Sequence, residues 1–290
     1  VIIDKDYNEE KIDSLLKKAD TKIIYYSDKY NNFISNMKYD VHKIEDIDKY
    51  MNLGKKYKNN YKVKDEDACA IFFTSGTTGP DKPVLLSERN IASNIYAMQC
   101  VEDIRPTDTN IAFLPFHHIF GSTCLIMMLA CGVKTVFPDG LKYIKQNMKE
   151  YEVSVFVGVP VLTEAIYKAV LKEIEKQGKT KLVRQMVKIS NALLNIHIDI
   201  RRKIFKTIID GLGGKLRLII SGGAAADPLS IKGFSEFGVE TVQGYGLSET
   251  SPVIAAESYF SRKPGSVGLP MRNVQVEIVD KDDNGIGEIR

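Results

Sequence analysis

Phe72-Phe73-Thr74-Ser75-Gly76-Thr77-Thr78-Gly79-Pro80-Asp81-Lys82-Pro83-Val84 says more than any other stretch of the chain. Apolar residues from Ala70 to Phe73 read as a strand and run straight into hydroxyl and glycine positions, then a lysine. Such a segment offers backbone N–H groups, hydroxyl donors and one mobile cation at a strand's end, which suits an oligophosphate. A flexible Ser/Thr/Gly surface loop has the same composition. The segment alone leaves both readings open.

The strand that feeds it is one of a series. Strand-like runs at 22–26, 70–74, 110–114, 133–137, 153–157, 216–220 and 239–243 alternate with helical spacing. Examples of the latter are Ile12, Leu15, Leu16 and Ala19, then Ile91, Ile95 and Met98, then Leu162, Ala165, Ile166, Ala169 and Val170 after Pro160. This alternation predicts an α/β fold with mostly parallel sheets layered with helices. The charged stretch 176–214 reads as a helical hairpin on the outer layer. After Gly265 the pattern changes: Gly265, Gly268 and Pro270, then alternating Val274, Val276 and Ile278, predict antiparallel strands with a turn at 280–285. The expected division is 1–64 (a partial α/β segment plus linker), 65–262 (the α/β core) and 263–290 (the start of a β-rich subdomain).

Composition excludes several classes of function. The 290 residues are 44% hydrophobic with a mean hydropathy of −0.15, and 40 basic against 37 acidic side chains leave a net charge of +3. No strong field points to nucleic acid. The basic run from Lys55 to Lys64 reads as a solvated linker. The longest apolar run, about 123–133, is too short to span a bilayer and reads as a buried helix, which leaves only peripheral membrane contact open. Cys69, Cys100, Cys124 and Cys131 lack metal-ligand spacing and read as small buried hydrophobes in a reducing, cytoplasmic setting.

Two further glycine-rich segments follow predicted strands, so that with 74–79 they imply one composite crevice beyond the strands' carboxyl ends. Ser221-Gly222-Gly223-Ala224-Ala225-Ala226-Asp227-Pro228 is either a wall against which a flat ring lies or a tight helix start capped by Asp227, and both can hold. In Gln243-Gly244-Tyr245-Gly246-Leu247-Ser248-Glu249-Thr250, an aromatic flanked by glycines is bare enough to stack on a base. Ser248 adds a hydroxyl. Glu249 is either a magnesium ligand beside an oligophosphate or an ordinary solvent-facing glutamate. The run Leu114-Pro115-Phe116-His117-His118-Ile119-Phe120-Gly121 places a polar ring at the mouth of an apolar pocket. Paired metal ligands are the weaker reading, because adjacent histidines diverge and no acid or cysteine completes a set.

Taken together, in this order and spacing, these four segments resemble the adenylate-forming superfamily, the AMP-binding enzymes, most closely bacterial long-chain fatty-acyl-CoA ligases; the match covers about 65–290. The resemblance implies an acid–thiol ligase that activates a carboxylic acid, a fatty acid in this subgroup, with ATP and magnesium. The acyl-adenylate formed then passes its acyl group to coenzyme A. It implies that Thr74, Ser75, Gly76, Thr77, Thr78 and Gly79 wrap the β- and γ-phosphates with Lys82 as their cation. Tyr245, between Gly244 and Gly246, would stack on adenine, with Gly222, Gly223 and Ala224 as the opposing wall. Ser248 would meet the α-phosphate, Glu249 would hold Mg2+, and His118 would stand between acyl pocket and adenylate.

The chain departs from the family at Asp81-Lys82-Pro83, where Pro-Lys-Gly is usual: Asp81 brings a negative charge and Pro83 stiffens a hinge. Glu88 stands where histidine is common. The family's Thr-Gly-Asp segment and mobile C-terminal domain with its catalytic lysine fall beyond the match, so the chain is expected to be part of a larger domain and inactive alone. A P-loop kinase would need Ser or Thr after Lys82, not Pro83. An amino-acid- or aryl-acid-adenylating domain, with Glu236 or Glu240 as acids for an ammonium, and a non-catalytic nucleotide- or acyl-binding module stay as alternatives.

Overall fold

The computed structural model describes residues 1–56, 61–74, 81–259, 262–263 and 265–290. The chain divides into two compact units, Val1–Arg89 and Asn90–Arg290. The expected boundary near 64 therefore moves to the start of a helix, because the 68–87 hairpin belongs with the first unit.

The first unit opens with α1 (Glu9–Lys18). Asn8 caps it by accepting from the Lys11 amide at 2.9 Å, and Glu9 and Glu10 at its start and Lys17 and Lys18 at its end complement the helix dipole. Ile12, Leu15 and Leu16 are its buried stripe. β1 (Ile23–Tyr26), α2 (Asn31–Ile34) and β2 (Asp40–Lys43) follow, the two strands pairing in parallel, and then α3 (Ile47–Gly54). β3 (Ala68–Thr74) and β4 (Lys82–Ser87) form an antiparallel pair with Thr74 opposite Lys82. β3 is thus paired with an antiparallel neighbour and is not a strand of the parallel sheet. Pro83 bars a helix interior and Val84-Leu85-Leu86 is too short and apolar for anything but a second strand.

The second unit holds the main sheet. Its elements in chain order are α4 (Glu88–Val101, starting at the division), β5 (Thr109–Ile111), α5 (Ile119–Ala130), β6 (Lys134–Val136), α6 (Ile144–Glu150), β7 (Val155–Gly158), α7 (Pro160–Lys176) and α8 (Thr180–Leu194). Then come α9 (Arg201–Ile204), α10 (Lys206–Gly211), β8 (Leu218–Ser221), α11 (Pro228–Glu236), β9 (Glu240–Gly246), β10 (Val253–Ala256), β11 (Leu269–Pro270), β12 (Ile278–Val279) and β13 (Glu288–Ile289). The strand order is β6-β5-β7-β8-β9-β10-β11, parallel through β9 and antiparallel beyond it. Both faces of the parallel strands are covered, as such sheets require. Phe156 and Ile219 join one core with α6, α7, α10 and α11, whereas Val155, Val157, Leu218 and Val242 join another with α4 and α5.

The α/β class and mainly parallel sheet stand as expected. Three local expectations do not. The stretch 176–214 contains the end of α7, then α8, α9 and α10 instead of one hairpin. The antiparallel strands expected about the 280–285 turn are present as β12 and β13, but the first is shorter than expected: of 274–278 only Ile278 is in it. Cys124 is buried, but Cys69 and Cys100 are exposed.

Charged clamps fix the amino-terminal edge of the sheet. Arg217, just before β8, donates to both Asp108 oxygens (3.0 and 2.5 Å) and to the Asp103 carbonyl, while Ser154, just before β7, donates to Asp108 at 2.7 Å. At the first residue of β9, Glu240 receives Arg201 at 2.9 Å and also Arg262. These pairs leave the opposite, carboxyl ends of the strands for the site.

Candidate functional site

Chain order reverses between β5, which is followed outward by β6, and β7, which is followed the other way by β8 and β9. Loops leaving the carboxyl ends of strands beside such a reversal diverge and open a crevice. A cavity of about 360 Å3 lies there, rimmed by Pro115 and His118 after β5, Val159 after β7, Ser221–Gly223 at the end of β8, and Gly244–Ser248 at the end of β9. Its deeper wall is apolar and comes from α4, α5 and β10, through residues such as Met98, Cys124, Met127, Val253 and Ala256.

The β8 segment turns sharply into α11. Gly223 has φ 84°, and Asp227 caps the helix by accepting from the Leu229 and Ser230 amides at 3.2 and 3.1 Å, with Pro228 in its first turn. The capping reading therefore holds. Gly222 and Gly223 line the cavity as well, and a Cβ on Gly222 would come within 2.8 Å of the Phe120 ring. Ala224, in contrast, is exposed and does not line the cavity.

The third segment is not the loop its glycines suggest. β9 runs through Gly244-Tyr245-Gly246, pairing Gly246 with Val253, Tyr245 with Ala255 and Gly244 with Ala256. Gly246 is required for the close approach: a Cβ there would sit 1.8 Å from the Pro252 carbonyl oxygen. Tyr245 is consequently held, half-buried, by its pairing with Ala255 of β10, two residues beyond the last β9 position that pairs with β8. The 248–250 turn follows, closed by Leu247 N to Pro252 O at 3.0 Å and Thr250 Oγ1 to Pro252 O at 2.6 Å. Ser248 lines the cavity, and Glu249 beside it is exposed and does not.

His118 caps the start of α5 at the rim, its ring 4.2 Å from that of His117. The turn before it is fixed by Ser122 Oγ donating to the Phe116 carbonyl at 2.6 Å, and by Gly121, whose Cβ would meet the Pro115 oxygen at 2.4 Å. Among the described residues no group of three or more His, Cys, Asp and Glu side chains could hold a metal.

Of the remaining site residues, Thr74 and Lys82 face each other across the first unit's hairpin, while Ser75, Gly76, Thr77, Thr78 and Gly79 lie outside the described residues. The negative charge of Asp81 has a partner within the same unit. Lys11 of α1 forms an ion pair with its carboxylate, and Lys18 donates to its carbonyl at 2.8 Å. Lys11 holds the Asp81 carboxyl below the usual carboxylate range despite its partial burial.

Three lining residues have no individual role in the sequence reading, and Glu102 lies outside its segments altogether. Ser221 is fully buried, and its Oγ has no hydrogen-bond partner among the described residues. Gln243 accepts from Ala226 N at 3.4 Å and donates to Ser266 O at 2.9 Å, tying the β8 segment to the residues before β11. Glu102 lies just past α4 with its Oε2 shut off from solvent and likewise without a partner among the described residues.

Comparison with known proteins agrees with this geometry. The AMP-binding enzyme family matches residues 1–290. A chloroplastic long-chain-fatty-acid–[acyl-carrier-protein] ligase of Arabidopsis thaliana is 27% identical over 271 residues, covering 79% of this chain and 37% of the relative. Long-chain-fatty-acid–CoA ligase 5 of Rattus norvegicus is 30% identical over 256 residues, covering 82% and 38%. The chain thus spans little more than a third of the length of these curated relatives. The structure of an anthranilate CoA ligase in complex with anthranoyl-AMP superposes with a TM-score of 0.72 at 16% identity, over 99% of this chain and 51% of that one. The N-terminal domain of FACL13 from Mycobacterium tuberculosis gives 0.71 at 18%, over 99% and 66%. The match along the whole chain and the shared fold settle the assignment: this chain belongs to the family of AMP-binding enzymes.

Proposed function

We propose that the chain carries the acid- and adenylate-binding region of an enzyme that activates a fatty acid with ATP. In that reaction a carboxylate oxygen attacks the α-phosphorus, the bond to the β-phosphate oxygen breaks, and pyrophosphate leaves. In the complete protein the acyl group would then pass to a thiol, with coenzyme A as the proposed acceptor. The observation that carries the reading is the cavity itself: a polar, glycine-bounded rim at the strand ends above an apolar interior.

The division of labour follows from that shape. Tyr245, fixed by its ladder with β10, offers its ring to adenine, and Gly222 and Gly223 leave room for a flat group opposite. Ser248 and the buried Ser221 hydroxyl are donors toward the acyl-phosphate junction. His118 stands at the rim where the carboxylate meets the nucleotide. The apolar interior receives the chain and excludes water, as an activated ester requires. Thr74–Gly79 and Lys82 are assigned to the β- and γ-phosphates on their motif alone. The exposed Glu249 carboxylate, next to Ser248, suits Mg2+, which binds through one or two carboxylates plus phosphate oxygens and water. When bound, the ion would neutralise charge developing on the leaving pyrophosphate.

The amino-acid-activating alternative loses its two nominated acids. Glu240 is spent on Arg201 and Arg262, and Glu236 lies 3.8 Å from Lys232 on the surface of α11.

Calorimetric titration of the chain with a non-hydrolysable dodecanoyl-adenylate mimic tests the proposal. Binding is expected, with affinity roughly 5- to 150-fold weaker in Tyr245→Ala, since base–aromatic stacking contributes roughly 1–3 kcal/mol. Equal binding by wild type and Tyr245→Ala would remove the adenine role. No binding by either would remove the site.

A further inference from the structure

One polar side chain breaks the apolar interior of the cavity. Glu102 lines it, yet among the described residues nothing donates to or accepts from its Oε2, which is sealed from bulk water. Orphaned buried oxygens are rare because each forfeits hydration without recompense.

Its depth can be read from α4. Midway along that helix Asn94 donates to Val253 O at 2.8 Å and to Thr250 O at 3.4 Å, beside the 248–250 turn. At its last residue, the Val101 carbonyl accepts from Ser258 Oγ at 3.2 Å. α4 therefore runs alongside β10 away from the rim. At 1.5 Å per residue, Glu102 lies about 12 Å further along than Asn94. Its neighbours agree: Arg262, which acts on it, is held at the amino-terminal start of β9 by Glu240.

We propose that Glu102 is a specificity-determining residue at the inner end of the acyl cavity, and that the acid this protein takes carries a hydroxyl toward the far end of its chain, received by the Glu102 carboxyl. The inference rests on reading the cavity as an acyl-adenylate site and names the class of acid for it.

The state of the carboxyl favours a hydroxyl over a cation. Burial, reinforced by the nearby Glu257 and opposed by Arg262, pushes Glu102 up to about 8. Glu257 does not supply the missing donor. It is itself a buried acceptor, taking the Gln243 amide at 3.2 Å, and burial raises it too. From α5, the Cys124 thiol faces the same region and is pushed up to about 12, first by burial and then by Glu102. Around neutrality the site therefore presents an uncharged carboxyl that both donates and accepts, the complement of an alcohol. A pocket group left unpaired by an unsubstituted chain discriminates strongly in favour of the substrate that pairs it.

The test is a binding series on wild type, Glu102→Gln and Glu102→Leu, using non-hydrolysable acyl-adenylate mimics. Hexanoyl, octanoyl, decanoyl and dodecanoyl members are each compared with their terminal-hydroxy and terminal-amino counterparts. At one length the hydroxy member should bind wild type roughly tenfold more tightly than the plain chain. Glu102→Gln, which keeps a donor and an acceptor, should retain that preference, and Glu102→Leu should reverse it. Wild type binding plain chains as tightly as hydroxy ones at every length would overturn the inference while leaving the adenylate reading intact. Preference for the amino member would overturn it too, since that needs an ionised carboxylate. Failure of every mimic to bind would overturn the adenylate reading, and the inference with it. Should Glu102→Leu not fold, the wild-type and Glu102→Gln comparison still decides.

Discussion

Glu102 has a consequence beyond recognition. Between its ordinary value of 4.5 and the folded value of about 8, the folded protein keeps a proton that the unfolded chain has already released. Stability must then fall as pH rises through that window, by at most on the order of 5 kcal/mol from this group. Glu102→Gln should flatten the slope, with Glu257, Cys124 and Arg262 unchanged as background. Urea denaturation at several pH values checks this, and parallel slopes in the two proteins would contradict it. This residue also marks where sequence reading stops. Tyr245, Ser248, His118 and the Gly222–Gly223 pair were legible because each sits in a short segment whose composition is odd for its place. Glu102 was not. It follows an ordinary amphipathic stripe and precedes Asp103, so it reads as surface charge, and its burial depends on chain more than 150 residues away.

At the scale of elements, the informative departure is β9. Glycine weakens a strand interior, so Gly244-Tyr245-Gly246 reads as loop. What overrides propensity is β10, which approaches so closely that only a residue without a Cβ fits at Gly246. The two glycines then differ sharply. Gly246→Ala forces a Cβ to 1.8 Å from a backbone oxygen, whereas Gly244→Ala finds its nearest neighbour at 3.5 Å, an ordinary contact. Gly246→Ala should cost about 2–3 kcal/mol and loosen mimic binding, while Gly244→Ala should cost well under 1 kcal/mol. Equal melting temperatures for the two variants would refute the strand account. The hairpin of β3 and β4 was hidden for a related reason: a strand running into a phosphate-type loop looks the same whichever direction its neighbour takes.

Across the whole second unit, function and stability occupy opposite edges of one sheet. Alternation of strands and helices was enough to predict a parallel α/β core, because both-face burial leaves its mark in every strand. The clamps at the other edge were not legible, since Asp108, Ser154 and Arg217 are ordinary residues until the sheet assembles. Burial alone would raise the Asp108 carboxyl, but the Arg217 guanidinium, the Ser154 hydroxyl and the Arg105 amide hold it below the usual range. That contribution is present above the unfolded value and lost as pH falls through the folded one. Arg217→Met, leaving a buried carboxylate short of its main partner, should cost about 3–5 kcal/mol. A loss under 1 kcal/mol by denaturant titration would show the pair to be dispensable. The double pairing of β9 bears on time as well as on shape. The strand carrying Tyr245 is paired with β8 through Gln243 and with β10 from Gly244 onward before any ligand arrives, and the turn after it lies beyond both ladders. Amide deuterium uptake should therefore be slow through residues 241–245 with or without an adenylate mimic, and fast through 247–251 until one binds. On the proposed reading, a base would meet a strand already set, and the turn beside Ser248 would be the part that waits for the ligand to order it.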